Sequence, residues 1–233
     1  MTVENISEIK EKAAKYAVDL IEPGMVVGLG TGSTAQYAIK EIAERINKNE
    51  LKDLTFIPSS LRTEKYATGL GMKLSNFDNV LEIDINIDGA DEVDRNTNLI
   101  KGGGGALLKE KIIAQNCKRN VVVVTEIKLS SNLGEKWHLP VEILPFAWHL
   151  ETIFIGSLGA EVELRKNIDG EIFETDQGNY ILDCNFGAIS DPEELSMKLG
   201  KRAGIIEHGL FINTTNDLLI GKSDSVEHKK IAK

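Results

Sequence analysis

Between Ile6 and Thr125 the apolar residues of this chain switch repeatedly between helical and strand-like spacing, and that alternation restricts the fold more than any other feature. Ile6, Ile9, Ala13, Tyr16, Ala17 and Leu20 recur at helical intervals, and Pro23-Gly24 then turns the chain into a strand over 25–29. Ala35, Ala38, Ile39, Ile42, Ala43 and Ile46 mark a second helix, followed by a strand at 54–57 and a helix over 62–70. Further strands are expected at 73–74, 83–87, 99–100 and 120–125. The last holds Val121 to Val124, an unbroken apolar run suited to a strand covered on both faces. Strands separated by helices build a mostly parallel sheet, so residues 1–133 read as the first segment of a Rossmann-like α/β domain.

The pattern changes after Gly134. A strand is expected at 139–144, a helix at 148–158, and strands at 161–165 and 179–183. Ser190-Asp191-Pro192-Glu193-Glu194 has the cap and early proline of a helix start, and a strand follows at 204–207. This βαββαβ order fits a small ferredoxin-like α+β module over 134–207. Strands at 211–213 and 218–221 would return the chain to the first domain as a segment 208–233, making the module an insertion.

Composition narrows the function classes. The chain is 42% apolar and 27% charged, as globular proteins are, and no stretch approaches the ~18 to 20 apolar residues of a membrane span. The N-terminus lacks an apolar signal-type region, so a soluble cytoplasmic protein without a membrane partner is expected. Lys and Arg total 27 against 36 Asp and Glu, a net charge of −9, and no basic run is interleaved with aromatics. Nucleic acid is therefore not an expected partner. An anionic ligand would have to be held by local donors and a few placed lysines. Cys117 and Cys184 lie far apart with no paired cysteine or histidine nearby, so two packed thiols are expected rather than a disulfide or a metal site.

Three loops follow expected strands. In Gly28-Leu29-Gly30-Thr31-Gly32-Ser33-Thr34-Ala35, a strand passes through a glycine turn into a helix, where N–H groups and three hydroxyls could hold a phosphate. No lysine follows as in a P-loop, and Ser33 breaks the dinucleotide pattern. A plain helix-capping turn is the other reading. The second loop, Asp84-Ile85-Asn86-Ile87-Asp88-Gly89-Ala90-Asp91-Glu92, starts like a calcium loop, but Arg95 stands where the closing glutamate belongs. It reads instead as a strand delivering Asp88 and Asp91 to the sheet edge where open α/β folds bind ligands, or as solvated loop acids.

The third loop, Lys101-Gly102-Gly103-Gly104-Gly105, is costly in backbone entropy unless the main chain must approach something closely. On the helix that follows, Glu110 falls in one sector with Ala106, Leu107, Ile113 and Ala114. A carboxylate desolvated there would suit a general base, whereas a surface Glu between two lysines is the bland alternative. Lys128 follows the valine strand on the same expected edge. Lys10, on the first helix, reads as a surface residue.

The glycine turn, Asp88-Gly89-Ala90-Asp91-Glu92, and Lys101-Gly102-Gly103-Gly104 with Glu110-Lys111-Ile112 together resemble the type A ribose-5-phosphate isomerase family. The likeness covers nearly the whole chain, including Leu139-Pro140-Val141-Glu142 at the start of the small module. It implies reversible isomerisation of D-ribose 5-phosphate and D-ribulose 5-phosphate in the pentose phosphate pathway, without metal or organic cofactor, by a homodimer or homotetramer. By motif position, Glu110 resembles the family's proton-transferring base, with Asp88, Lys101 and Asp91 as further catalytic groups. Thr31, Gly32, Ser33, Thr34, Asp88, Gly89, Ala90, Asp91, Lys101, Gly102, Gly103, Gly104 and Lys128 match its substrate contacts. Gly105 replaces a common alanine, which should loosen the loop slightly. Competing readings are an amino-sugar-phosphate deaminase or a CoA transferase on the same scaffold, and a sugar-phosphate sensor without turnover.

Overall fold

A computed structural model describes residues 3–231. In chain order the elements are α1 (Val3–Val18), β1 (Val26–Leu29), α2 (Ser33–Asn47), β2 (Thr55–Pro58), α3 (Leu61–Gly69), β3 (Ile83–Asp88), β4 (Glu92–Val93), β5 (Leu99–Ile100), α4 (Leu107–Gln115) and β6 (Cys117–Thr125). Then come β7 (Leu139–Ile143), α5 (Trp148–Ser157), β8 (Glu161–Leu164), β9 (Tyr180–Asn185), α6 (Pro192–Leu199), β10 (Ile205–His208), β11 (Leu210–Phe211), β12 (Asp217–Gly221) and β13 (Val226–Lys230). The chain divides into two compact units: residues up to Ala90 with Lys109–Ile127 and Thr214 onward, and Asp91–Leu108 with Lys128–Asn213.

The first unit is an α/β layer structure on a six-stranded sheet of order β13-β12-β6-β3-β1-β2, parallel except for β13. Alternation along the strands sends Val27, Leu29, Ile85, Ile87, Val121, Val123 and Leu219 into one core with Ala13, Ala17 and Val18 of α1 and Ala38, Ile39 and Ile42 of α2. On the other face Ile113 of α4 packs near Gly28 and Ile57. The valine run of β6 is buried throughout, as its composition predicts. Because β1, β3 and β6 run parallel, their C-terminal ends share one edge, the place where such sheets bind ligands.

The second unit holds an antiparallel sheet of order β10-β7-β9-β8 with helices α5 and α6. Leu139, Val141, Ile143, Ile155, Leu182, Cys184, Leu195 and Leu199 form its core. At the start of α6 the Asp191 carboxylate accepts the Glu194 N–H at 2.8 Å and Pro192 occupies the first turn, as the sequence signature predicts. This unit is wider than the stretch 134–207 because β4, β5 and β11 form a small antiparallel sheet within it.

Three strand expectations need correction. Residues 99–100 and 211 do not join the parallel sheet: Leu210 and Phe211 pair with Ile100 and Leu99, and Asn213 turns back with φ 54° while its N–H bonds Asn98 Oδ1. Only β12 enters the parallel sheet. At 73–74 a single bridge, Leu74 to Phe56, forms, because Asn76 accepts the Asp78 N–H and turns the chain away. Strand β13 went unread because Val226-Glu227-His228-Lys229-Lys230 has no apolar alternation, as befits an edge strand. Neither Cys117 nor Cys184 is in a disulfide, and burial pushes the Cys184 thiol far up. Among the described residues no helix is long and apolar enough to cross a membrane, and no three His, Cys, Asp or Glu side chains are grouped to hold a metal ion.

Candidate active site

In the first unit, the end of β3 presents Asp88, which is buried. Its Oδ1 accepts the N–H groups of Thr31 at 3.1 Å and of Gly89 at 2.7 Å, tying the glycine turn after β1 to the acidic loop. Gly30 is required for this: a Cβ there would lie 2.1 Å from Asp88 Oδ1. Gly89 in turn sits beside Thr34 at the start of α2, and Ala90 follows, half-buried.

The hydroxyl of Thr31 does not point where a ligand contact was expected. It bonds Ser59 Oγ at 2.7 Å, Ser60 Oγ at 2.8 Å and Thr63 Oγ1 at 3.0 Å, while Thr63 donates to the Gly30 carbonyl at 3.0 Å. Thr31 thus locks the turn against the start of α3, where Ser60 also accepts the Thr63 N–H. What the turn offers a ligand is the start of α2: Gly32, at φ 116°, provides no side-chain cap, so the first-turn N–H groups at Ser33 and Thr34 lack that partner. Lys10 is the residue that sequence reasoning set aside. Its Nζ donates to Ser33 Oγ at 3.1 Å, bringing a cation to the positive end of α2.

Glu110 is 4% exposed, and Leu107, Ile113 and Ala114 on the same helix are buried with Ala106 just before it, as the helical spacing predicts. Lys109 is half-buried, whereas Lys111 is also buried, which the spacing argument did not anticipate.

In the second unit, Asp91 Oδ2 accepts the Gly103 N–H at 2.7 Å. That N–H is therefore engaged, leaving the N–H groups of Gly102 and Gly104 without a partner among the described residues. Lys101 is buried, with its ammonium 5.6 Å from the centre of the Phe211 ring and its own N–H on the Gly209 carbonyl at 2.9 Å. The Lys128 ammonium lies 4.8 Å over the Trp137 ring. Trp137 borders Gly103, where a Cβ would come within 2.9 Å of both Trp137 Cζ2 and Asp91 Oδ1. Nothing in the sequence separated Trp137 from a core aromatic. Its loop is held by fully buried Glu92, whose carboxylate accepts the Gly134 N–H at 2.8 Å and the Lys136 N–H at 3.1 Å.

Gly105 does not loosen the glycine loop. Its φ is +78°, its N–H closes a turn onto the Gly102 carbonyl at 3.0 Å, and a Cβ would stand 2.4 Å from Phe173 Cζ. The Phe173 ring fills the space that an alanine methyl would need. Gly105→Ala is expected to destabilise the fold by about 1 to 3 kcal/mol, from left-handed strain plus overpacking, read as a lowered Tm. An unchanged melting curve would refute this packing account.

Residues 55–225 match the family model described as Ribose 5-phosphate isomerase A (phosphoriboisomerase A). The chain is 50% identical over 224 residues to ribose-5-phosphate isomerase A of Desulfatibacillum aliphaticivorans, covering 96% of this chain and 97% of the relative. To that of Chloroflexus aurantiacus it is 47% identical over 219 residues, covering 94% of this chain and 92% of the relative. Among solved structures, a D-ribose-5-phosphate isomerase in complex with phospho-erythronic acid superposes with a TM-score of 0.95 at 38% identity, covering 99% of this chain and all of that one. The ribose 5-phosphate isomerase of Plasmodium falciparum gives 0.94 at 37% identity, over 97% of this chain and 100% of its own. A family model spanning residues 55–225 and 50% identity to a relative over 96% of the chain place it in the ribose 5-phosphate isomerase A family.

Proposed function

We propose that this chain interconverts D-ribose 5-phosphate and D-ribulose 5-phosphate through an enediolate, with Glu110 moving the proton between C2 and C1. The observation that carries the reading is half-identity to an isomerase over nearly the full length, joined to a carboxylate buried at 4% exposure on α4. The C2–H of an open-chain aldose is a weak acid, so its removal needs a base held in place against it. One carboxylate suffices for both carbons: it takes the C2 proton and returns it to C1 while the carbonyl shifts from C1 to C2.

The enediolate oxygens need fixed donors. Lys101 and the N–H groups of Gly102 and Gly104 are assigned to them. Asp88 and Asp91, each already accepting backbone N–H bonds, are assigned to hydroxyl protons and to opening the furanose ring. The phosphate is assigned to the start of α2, with Gly32, Ser33, Thr34 and the Lys10 ammonium, where anchoring a remote charged group orients the reacting carbons. Gly89 and Ala90 border the acidic loop, and Lys128 is assigned a substrate contact beside Trp137. The phospho-erythronic acid bound by a related structure is a phosphorylated sugar acid of the same class as this substrate.

Two exposed apolar side chains on α5, Leu150 and Ile153, with exposed Phe146 just before it, offer a surface for a second copy and support a homo-oligomer. Two cysteines outside any disulfide suit the reducing cytoplasm.

The test is incubation with ribose 5-phosphate in deuterium oxide containing EDTA. Ribulose 5-phosphate carrying deuterium at C1, and recovered ribose 5-phosphate carrying it at C2, are expected. Absence of ketose would count against the isomerase reading, and ketose formed at a near-normal rate by Glu110→Gln would count against proton transfer through Glu110.

A further inference from the structure

We propose that Arg165, held by Asp183, is a positioning residue that aims the peptide groups of the glycine-rich loop. The inference goes beyond the family assignment and rests on the role given above to that loop.

Arg165 follows β8 and is fixed at its backbone: its N–H donates to the Ile181 carbonyl at 2.8 Å and its carbonyl accepts the Phe173 N–H at 2.9 Å. The side chain is 13% exposed. Nε donates to Asp183 Oδ2 at 2.8 Å and Nη2 to Oδ1, so the carboxylate grips one edge of the guanidinium. The remaining nitrogen, Nη1, donates to two carbonyls at once, Gly102 at 3.0 Å and Gly103 at 3.3 Å. The Phe173 ring lies 5.7 Å from the guanidinium carbon, and it is the same ring that closes over Gly105.

Peptide planarity turns this contact into an orientation. Among the described residues no peptide bond is cis, and in a trans unit the C=O and the following N–H point in opposite directions. Fixing the Gly102 carbonyl on Arg165 therefore sets the Gly103 N–H, which donates to Asp91 Oδ2 at 2.7 Å. Fixing the Gly103 carbonyl likewise turns the Gly104 N–H away from Arg165, and that N–H has no partner among the described residues. One guanidinium thus orients Asp91 through Gly103 and presents the Gly104 donor. A positive charge at both carbonyl ends also polarises the two peptides, strengthening the N–H groups as donors. Beyond the Gly105 N–H on the Gly102 carbonyl at 3.0 Å and the Gly103 N–H on Asp91, four consecutive glycines themselves offer these units little resistance to rotation. Lysine cannot replace the arrangement, because its ammonium is not a planar fork gripped at one edge and donating from the other.

The experiment compares the parent enzyme with Arg165→Lys, Arg165→Ala and Asp183→Asn. It measures turnover of ribose 5-phosphate, calorimetric binding of phospho-erythronic acid, and melting temperature. The carboxylate of phospho-erythronic acid carries paired oxygens like the enediolate, so its affinity reads the loop donors directly. For Arg165→Lys a fall in kcat of roughly 10- to 100-fold is expected, below the loss for deleting a whole donor. KM should stay within about threefold, because the phosphate anchor is untouched. Affinity for phospho-erythronic acid should fall roughly tenfold. Guanidinium ions added at low concentration should restore part of the kcat of Arg165→Ala and leave the parent unchanged. Asp183→Asn, which keeps the arginine but loosens it, should show a smaller kcat loss of the same kind, and it decides the matter if Arg165→Ala does not fold. Unchanged kcat in Arg165→Lys and Asp183→Asn would overturn the proposal. So would a parallel loss of KM, kcat and melting temperature without guanidinium rescue, which marks a merely structural contact. Failure of the loop's role itself shows separately, as normal turnover in Lys101→Ala.

Discussion

Glu110→Gln is expected to lower kcat by about 10²- to 10⁴-fold, the contribution of a positioned general base, while leaving KM for ribose 5-phosphate nearly unchanged. The substitution is close to isosteric, so a side chain that is only 4% exposed is replaced without opening a cavity. What changes is proton affinity: an amide oxygen cannot take the C2 proton, whereas the carboxylate can. Neither the start of α2 nor Lys10 is altered, so the phosphate end of the substrate is still held. Steady-state kinetics, with deuterium uptake into unreacted ribose 5-phosphate as an independent readout, check the outcome. Both should fall together. Near-normal turnover in a folded variant would move the base to another residue.

Lys101→Ala is the second large effect. The ammonium of a lysine that is 5% exposed is removed from beside the glycine-rich loop, and by analogy with the loss of one oxyanion donor kcat should drop roughly 10²- to 10³-fold. The loss should appear in kcat more than in KM, because the charge it stabilises develops only as the proton leaves carbon. Binding of phospho-erythronic acid should weaken in step, since its carboxylate presents the same oxygens in the ground state. An unchanged kcat would remove Lys101 from the oxyanion role.

How far the sequence could be read depended on whether a feature is local. The parallel sheet followed from alternation that each segment displays by itself: the valine run of β6, the helical stripe of α2 and the capped start of α6 all lie where their own residues predict. The burial of Glu110 was legible for the same reason, since the angle between helix positions is fixed by backbone geometry. Pairings over long sequence separation were not. Leu99-Ile100 and Leu210-Phe211 are too short to show which partner each will choose, and they found one another instead of the large sheet. The direction of a single hydroxyl was equally hidden. Thr31 lies in a glycine turn suited to phosphate, but Ser59, Ser60 and Thr63 captured its side chain from another loop. Lys10 carried no signal at all in a helix with several lysines, and only its contact with Ser33 distinguishes it. Arg165 is in the same position, because its role depends on the carbonyls of residues far upstream.

The two outer strands of the six-stranded sheet carry a further consequence. One border is β13, whose Glu227, Lys229 and Lys230 put charge along the rim. At the other, β2 is four residues long, ends in Pro58, and has Phe56 already bridged to Leu74. Charge, brevity and a missing N–H donor are the devices that stop foreign strands from docking by backbone pairing. Copies of this chain should therefore meet through side-chain surfaces and resist templated fibre growth when concentrated.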